Sequence, residues 1–251
     1  MFQKLKIVEE TPLYIVVNKR AGLITERNPF EKITVESLVE EYLTSGKRTP
    51  YKLEGNQINP KGKRNFKAPS KSKKAAFVGV VHRLDRVTSG AMVFAKKKSS
   101  LKKLNEMLQA RRVKKTYLAI LEKAPPHNQG TLRHYLVKNQ KAKRADLYKD
   151  ERPGSLQCTL SYEVIKSSAN STLVKVELGT GRFHQIRAQF AFIGCPIVGD
   201  EKYGATKKHL PLAICLHAWK LEFKDVNTKE DQEFVADIPK TRFWQDYSHL
   251  V

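Results

Sequence analysis

The stretch HRLDRVTSG (His82–Gly90) contains one carboxylate, Asp85, between cationic side chains. The apolar run AMVFAK follows it, which predicts a polar turn that leads into a buried strand. A carboxylate held in such a turn can act as a nucleophile or as a general base. Taken alone, however, Asp85 is better explained as a turn residue or an ion-pair partner, because acidic residues are common in turns.

Two later segments also combine residue types that can do chemistry. Tyr117 stands near the start of an apolar strand in KKTYLAIL, and LGTGRFHQIRAQF (Leu178–Phe190) joins a strand end, a Gly-rich turn and the start of a helix. Arg182, His184 and Arg187 are expected to lie close together there. Each residue also has a plain structural explanation, as a core tyrosine or a solvated helix residue. The chain lacks the other motifs of a kinase and the HExxH spacing of a metal-dependent hydrolase, which argues against both classes.

Net charge is the strongest global signal. The chain has 47 Lys and Arg against 25 Asp and Glu, a net charge of +22. The segment Gly46–Ala75 alone holds ten basic residues and one acid, and further basic clusters follow it. Such clustering favours a phosphate-rich partner, so nucleic acid is the predicted partner, although charge does not distinguish RNA from DNA.

Length and composition bound the class of protein. The 251 residues are enough for a substantial hydrophobic core, and no apolar run approaches the roughly 20 residues of a membrane helix. The N-terminus has no signal-peptide core, and the three cysteines have neither disulfide nor zinc-site spacing. We therefore expect a cytoplasmic protein with no membrane segment and, as a default, a monomer.

The apolar patterns predict more strands than helices. Strands are expected at Leu13–Lys19, Gly90–Lys96, Thr116–Leu121 and Ala213–Phe223, and a hairpin around Ser167–Asn170. Helices are expected after an N-cap at Thr34, after Ser99 or Ser100, and over His184–Gly194. We predict an α+β fold, a mixed and largely antiparallel β-sheet with flanking helices, in a single domain over residues 1–251. The basic insertion at about 46–75 is predicted to be a loop.

Taken together, the motifs resemble those of the RluA-type RNA pseudouridine synthases. The matching segments are YIVVNKRAGL, HRLDRVTSGAMVFAK, KKTYLAIL, GTGRFHQIRAQFAFIGCPIVGDEKYG and LHAWKLEF, in that order. Arg20 stands where the family usually has proline, and the basic insertion is longer than expected. Because the resemblance already begins at Leu13, we expect no extra N-terminal RNA-binding domain of the kind that some members carry.

The resemblance implies isomerisation of a uridine in ribosomal or transfer RNA to pseudouridine, without a cofactor. It implies Asp85 as nucleophile or base at the sugar, Arg187 as the cation that keeps this carboxylate charged, and Tyr117 as the ring that stacks on uracil. The uridine must be flipped out of the RNA, and Arg83 can fill the vacated space. The expected RNA contacts are Arg83, His82, Arg182, His184 and Gln185.

Two other functions remain open from the sequence. A non-catalytic RNA-binding protein could share the fold, and a basic DNA-binding or ribosome-associated structural protein could share the charge. The first would have no need to keep Asp85, Tyr117 and Arg187 together. The second predicts no activity on any uridine. The sequence identifies neither the RNA nor the uridine.

Overall fold

The computed structural model describes residues 4–31, 33–48, 51–54, 57–60 and 75–250. These residues group into two compact units. The first consists of Met1–Val113, Pro211–Ala213 and Lys220–Asp237, and the second of Lys114–Leu210, Ile214–Trp219 and Ile238–Val251. One catalytic domain over residues 1–251, without a separate N-terminal RNA-binding domain, stays a prediction.

An antiparallel sheet forms the centre of the first unit, with strand order β1–β2–β6. The strands are β1 (Lys6–Glu10), β2 (Tyr14–Lys19) and β6 (Ser89–Ala95), and the short β5 (Gly79–Val80) also pairs with β6. Because β2 and β6 are nearly continuous apolar runs, both are buried along their length. Lys19 pairs with Gly90, so the end of β2 lies beside the turn that precedes β6.

Two helices belong to the first unit. Helix α1 (Val35–Ser45) begins after Thr34, whose hydroxyl accepts a hydrogen bond from the Ser37 N–H, and ends at Gly46 with a φ of 72°. Both boundaries confirm the predicted caps. Helix α2 (Lys98–Gln109) instead follows an N-cap at Lys97. The Ser100 hydroxyl accepts from the Lys97 N–H at 3.2 Å, so the serine caps the helix from inside its first turn.

The basic insertion contains a β-hairpin that the sequence did not lead us to expect. Strand β3 (Tyr51–Glu54) pairs antiparallel with β4 (Gln57–Pro60), so the loop assignment for residues 46–75 was wrong for these strands. The alternation of Tyr51 and Leu53 with polar neighbours is a strand signal, but it was outweighed by the lysines and prolines around it. The predicted loop character of residues 49–50, 55–56 and 61–74 lies outside the described residues.

A five-stranded antiparallel sheet forms most of the second unit. Its strand order is β7–β11–β10–β8–β9. The strands are β7 (Lys114–Leu121), β8 (Gln129–Asn139), β9 (Arg144–Tyr148), β10 (Leu156–Ser167) and β11 (Thr172–Leu178). The β10–β11 hairpin confirms the prediction. The β8–β9 hairpin was missed, because its turn falls in the basic run KNQKAKR, whose charge concealed the alternation on either side.

Short helices and two late strands complete the chain. Helix α3 (Gln185–Phe192) is followed by Gly194 with a φ of 77°, which confirms the predicted end of the helix. A 3₁₀ turn (Glu201–Tyr203) and α4 (Arg242–Gln245) follow. Strand β12 (Leu216–Lys224) has residues in both units, and Lys220–Lys224 pairs with β13 (Asp231–Val235) in the first unit.

The predicted α+β class is confirmed. The strand pairs just described are antiparallel, and helices of each unit pack beside its strands. Among the described residues, no helix combines the length and the apolarity needed to cross a membrane.

Candidate active site

The turn that carries Asp85 is held by backbone hydrogen bonds within the first unit. The Asp85 carbonyl accepts from the Thr88 N–H at 3.1 Å, and the Arg86 carbonyl accepts from the Gly22 N–H at 2.7 Å. Gly22 has a φ of 93°, a left-handed conformation that favours glycine. Asp85 itself is half-buried. The loop after β2 thus braces the turn from one side.

A buried ammonium group completes this bracing. Lys19 is 1 % exposed, and its Nζ donates to three backbone carbonyls, those of Arg20 (3.1 Å), Arg86 (3.1 Å) and Thr88 (2.6 Å). Three acceptors match the three donors of a protonated lysine. Burial lowers the pKa of Lys19 to about 7, while the negative charge of Asp85 opposes this shift. The sequence reasoning assigned no role to Lys19, although a lysine at the end of an apolar strand within a matching motif was a usable signal.

His82 and Arg83, the predicted RNA contacts of this segment, have different surroundings. His82 is half-buried and its Nε2 accepts from the Val93 N–H at 3.2 Å, so the ring also ties the segment to β6. Arg83 is exposed and forms an ion pair with Glu26 at 3.2 Å. An exposed pair of this kind costs little to break, and the predicted contact of Arg83 with RNA stays a prediction.

Tyr117 lies on β7 in the second unit. Its neighbour across the β11 pairing is Val176, and the side chain is 7 % exposed. The pairing of β7 with β11 therefore fixes the backbone position of Tyr117 in the sheet.

The Gly-rich turn before α3 is fixed to strand β10. The Thr159 carbonyl accepts from the N–H groups of Gly179 (3.0 Å) and Thr180 (3.1 Å). Gln185, which is 3 % exposed, donates from Nε2 to the same carbonyl at 3.0 Å, and its Oε1 accepts from the Thr180 hydroxyl (2.7 Å) and the Arg182 N–H (3.0 Å). Gln185 therefore holds the turn in place, and its predicted contact with RNA stays a prediction.

His184 is the residue before α3 and has a left-handed conformation, with φ 53° and ψ 22°. Such a conformation is costly for a residue other than glycine and is often found at functional sites. The ring stacks on exposed Phe183 at 3.8 Å between centroids, and Nδ1 lies 3.0 Å from the Tyr203 hydroxyl. Arg182 is exposed and donates from Nε to the Gln157 carbonyl at 3.3 Å.

Arg187 forms a buried two-point ion pair with Asp200. Its Nε donates to Oδ2 at 2.7 Å and its Nη2 to Oδ1 at 2.8 Å. The guanidinium also lies 5.1 Å from the centroid of the Tyr203 ring. Two of the five guanidinium donors are thereby directed at Asp200, which fixes the plane of the group. Pairing of Arg187 with Asp85, which the resemblance implies, stays a prediction.

The predicted site residues fall into two groups. The first unit holds Asp85, His82 and Arg83, and the second unit holds Tyr117, Arg182, His184, Gln185 and Arg187. The sequence reasoning missed Asp200 as well as Lys19. Asp200 lies in the matching motif PIVGDEKYG, but nothing in its spacing indicated that Arg187 would be its partner.

The fold is that of proteins with a pseudouridylate synthase domain. The solved structure of human RNA pseudouridylate synthase domain containing 4 superimposes with a TM-score of 0.69, covering 97 % of this chain and 92 % of that one, at 22 % identity. Human RNA pseudouridylate synthase domain containing 1 gives 0.68, with 94 % and 84 % covered, also at 22 % identity.

The family follows from the sequence match itself. Residues 13–192 match the model of the RNA pseudouridylate synthase family, and this chain belongs to that family. Asp85, Tyr117 and Arg187 all lie within the matched range.

Curated relatives agree with this assignment. An uncharacterized RNA pseudouridine synthase of Chloroflexus aurantiacus is 36 % identical over 163 residues, which cover 64 % of this chain and 50 % of that protein. Ribosomal large subunit pseudouridine synthase C of Haemophilus influenzae is 34 % identical, with 65 % and 52 % covered. The protein of the same name from Rickettsia conorii is 30 % identical, with 90 % and 65 % covered. The matches thus span about half to two thirds of the length of these relatives.

Proposed function

We propose that this chain is an RNA pseudouridine synthase that isomerises a uridine in RNA to pseudouridine. The observation that carries the proposal is the family match over residues 13–192, which includes Asp85, Tyr117 and Arg187. An RNA-binding protein without activity has no need of this set of side chains.

The reaction breaks the bond between N1 of uracil and C1′ of ribose, turns the base, and joins C5 to the same C1′. The proton on C5 leaves, and N1 ends with a proton, so atoms balance and nothing is oxidised or reduced. Asp85 acts as the ionised oxygen at the sugar, as nucleophile or as base. Tyr117 stacks on the uracil, and its hydroxyl is suited to take the C5 proton. No cofactor enters this scheme.

Arg187 supplies positive charge for the carboxylate, and Asp200 keeps the guanidinium plane in its orientation. Arg83 fills the space of the flipped base, while His82, Arg182, His184 and Gln185 contact the RNA. Basic residues grip the phosphate backbone, in agreement with the net charge of +22.

Large-subunit ribosomal RNA is the proposed substrate. Relatives at 30–34 % identity carry the name ribosomal large subunit pseudouridine synthase C, which supports this choice over transfer RNA. A cytoplasmic location and a monomeric state belong to the same proposal.

The test is turnover on unmodified transcripts of large-subunit ribosomal RNA and of transfer RNA, with pseudouridine mapped at nucleotide resolution. The wild-type chain is expected to modify a defined uridine in the ribosomal transcript. Asp85→Asn is expected to abolish turnover and leave RNA affinity nearly unchanged, because phosphate contacts supply most of the affinity. Asp150→Asn, an exposed acid in a turn, is the matched control and is expected to behave as wild type.

Three results would each contradict a different part of the proposal. A wild-type chain that binds RNA without forming pseudouridine would favour the non-catalytic alternative. Turnover by Asp85→Asn close to that of wild type would remove Asp85 from the chemistry. Modification of the transfer RNA transcript alone would refute ribosomal RNA as the substrate, while the proposed enzymatic activity would stand.

A further inference from the structure

Lys115 is a cation that the proposed mechanism does not use. It lies on β7 two residues before Tyr117, and residues two apart on a strand point to the same face of the sheet. The preceding residue, Lys114, points to the opposite face. Lys114 is exposed and forms an ion pair with Glu177 at 3.3 Å. The two adjacent lysines therefore have contrasting surroundings.

Lys115 has no hydrogen-bond or ion-pair partner among the described residues, and it is half-buried. Burial lowers the pKa of its ammonium group below the ordinary value, because the charged form has lost part of its water. A partly desolvated cation without a counterion reduces stability. The described residues thus supply no counterion for the Lys115 ammonium group.

The missing side chain of Gly181 leaves one atom position open beside this ammonium group. A Cβ built at Gly181 would lie 3.4 Å from Lys115 Nζ and would meet no other described atom within 4 Å outside its chain neighbours. Gly181 is exposed, so the space can be reached from solvent.

The backbone at this space is held in place. Gly179 and Thr180 are bound to the Thr159 carbonyl, and Gln185 holds both Thr180 and Arg182. The Gly-rich turn thus fixes one wall of the space, and strand β7 fixes the lysine. Such a preformed site needs little ordering when a ligand enters it.

We propose that the Lys115 ammonium group binds a backbone phosphate of the substrate RNA in the space left by Gly181. The proposal rests on the proposed function, since RNA is the polyanion that this chain would bind. A phosphate oxygen supplies the counterion that the folded chain does not, and a compact ammonium group suits a single such oxygen. Because Lys115 shares its strand face with Tyr117, the phosphate belongs to the target nucleotide or to one next to it.

The test compares Lys115→Met with Lys114→Met on the unmodified large-subunit ribosomal RNA transcript. We expect Lys115→Met to raise KM and the Kd for RNA about tenfold or more, as for loss of one charge-assisted hydrogen bond, with kcat largely retained. The slope of log affinity against log salt should decrease by about 0.7, the value for one phosphate contact in a single strand. Lys115→Arg should restore most of the affinity, and Lys114→Met should change little.

The Tm of Lys115→Met distinguishes a role of Lys115 in phosphate binding from a structural role. Lys115→Met removes a partly desolvated cation and keeps the length of the side chain, so its Tm should equal or exceed that of wild type. A structural lysine would instead lower the Tm when replaced. Weaker binding together with unchanged or higher stability is the combination that supports the proposal.

Gly181→Ala provides a second variant that keeps the charge. The φ of Gly181 lies outside the left-handed region, so alanine is compatible with the backbone there. Its methyl group should weaken RNA binding in the wild-type background and have little further effect in Lys115→Met. If the effects of Gly181→Ala and Lys115→Met on RNA affinity simply add, the two residues do not act on the same phosphate, and the proposal is overturned.

Failure of the inference and failure of the proposed function give different results. If the wild-type chain forms no pseudouridine, the proposed function fails. If it forms pseudouridine and Lys115→Met keeps the wild-type KM and salt slope, only the phosphate site is refuted. A fall in kcat at unchanged KM would also refute it, because it would indicate a role in the chemical step.

Discussion

The buried ion pair of Arg187 and Asp200 shows how one side chain can fix the orientation of another. Both side chains are at most 5 % exposed, so neither charge can be satisfied by water if its partner is removed. Breaking such a pair from one side usually costs about 3–5 kcal/mol. The orientation of the guanidinium depends on the same contact.

Asp200→Asn is therefore expected to lower the free energy of unfolding by about 3–5 kcal/mol and to reduce kcat, while RNA affinity changes little. Urea denaturation and turnover on the ribosomal transcript measure the two effects. Asp146→Asn is the control, because Asp146 pairs with Arg144 at 2.8 Å on a partly exposed hairpin, where a pair is worth about 1 kcal/mol. Equal losses in the two variants would contradict the buried-pair argument.

Residue types in the motifs could be predicted from the sequence, but their partners could not. Asp85, Tyr117 and Arg187 were singled out because their motifs are long and specific, and their roles stay a prediction. Asp200 and Lys115 were passed over, since a partner is determined by tertiary packing and not by spacing along the chain. Gln185 shows the same limit, because the sequence did not indicate that its polar atoms hold the turn.

At the scale of an element, the turn that presents Asp85 depends on Lys19. Replacing this lysine with methionine would remove the ammonium donor from the carbonyls of Arg20, Arg86 and Thr88. A buried carbonyl that loses its donor, as that of Thr88 would, costs about 1–3 kcal/mol where water cannot enter. We expect Lys19→Met to be strongly destabilised near neutral pH and to lose turnover, because the turn no longer holds Asp85 in position.

The difference in stability between wild type and Lys19→Met should also depend on pH. The folded-state pKa of Lys19 is about 7, below the ordinary lysine value, so between these pKa values the unfolded chain binds more protons than the folded chain. The advantage of wild type should therefore grow as the pH rises from about 7 to about 10, and stay constant below that window. Urea denaturation across this range measures it. An advantage that shrinks with rising pH would contradict the assignment.

Elements with strong local signals were predicted well. The caps at Thr34 and Gly46 define α1, and the β10–β11 hairpin follows from two alternating runs around a polar turn. The start of α2 was placed too late, because Ser100 caps from within the helix and not ahead of it. The β3–β4 and β8–β9 hairpins were missed because lysines and arginines hide a strand pattern that cross-strand pairing stabilises.

At the scale of the whole molecule, the excess of positive charge is the dominant feature, and the basic insertion holds ten of the 47 cationic residues. We expect its removal to flatten the salt dependence of RNA binding and to weaken affinity, with the modified uridine unchanged. The proposed variant joins Thr44 to Phe77 through a short Gly/Ser linker. Salt titrations of RNA affinity and pseudouridine mapping measure the outcome.

The geometry at the ends of the insertion makes this variant practicable. The Thr44 hydroxyl accepts a hydrogen bond from the Ala76 N–H at 3.0 Å, so a short linker can span the gap. Unchanged affinity and salt slope would show that the insertion does not bind RNA. A shifted modification site would show that it selects the uridine.

The same hydrogen bond has an evolutionary consequence. A segment whose two ends meet can lengthen, shorten or change composition without displacing the elements on either side, and doubling its length costs only about 0.6 kcal/mol of closure entropy. The segment between Thr44 and Ala76 can therefore differ in length and sequence without changing the fold on either side. In related proteins, changes in this segment would therefore alter the proposed RNA contacts and leave the elements on either side unchanged.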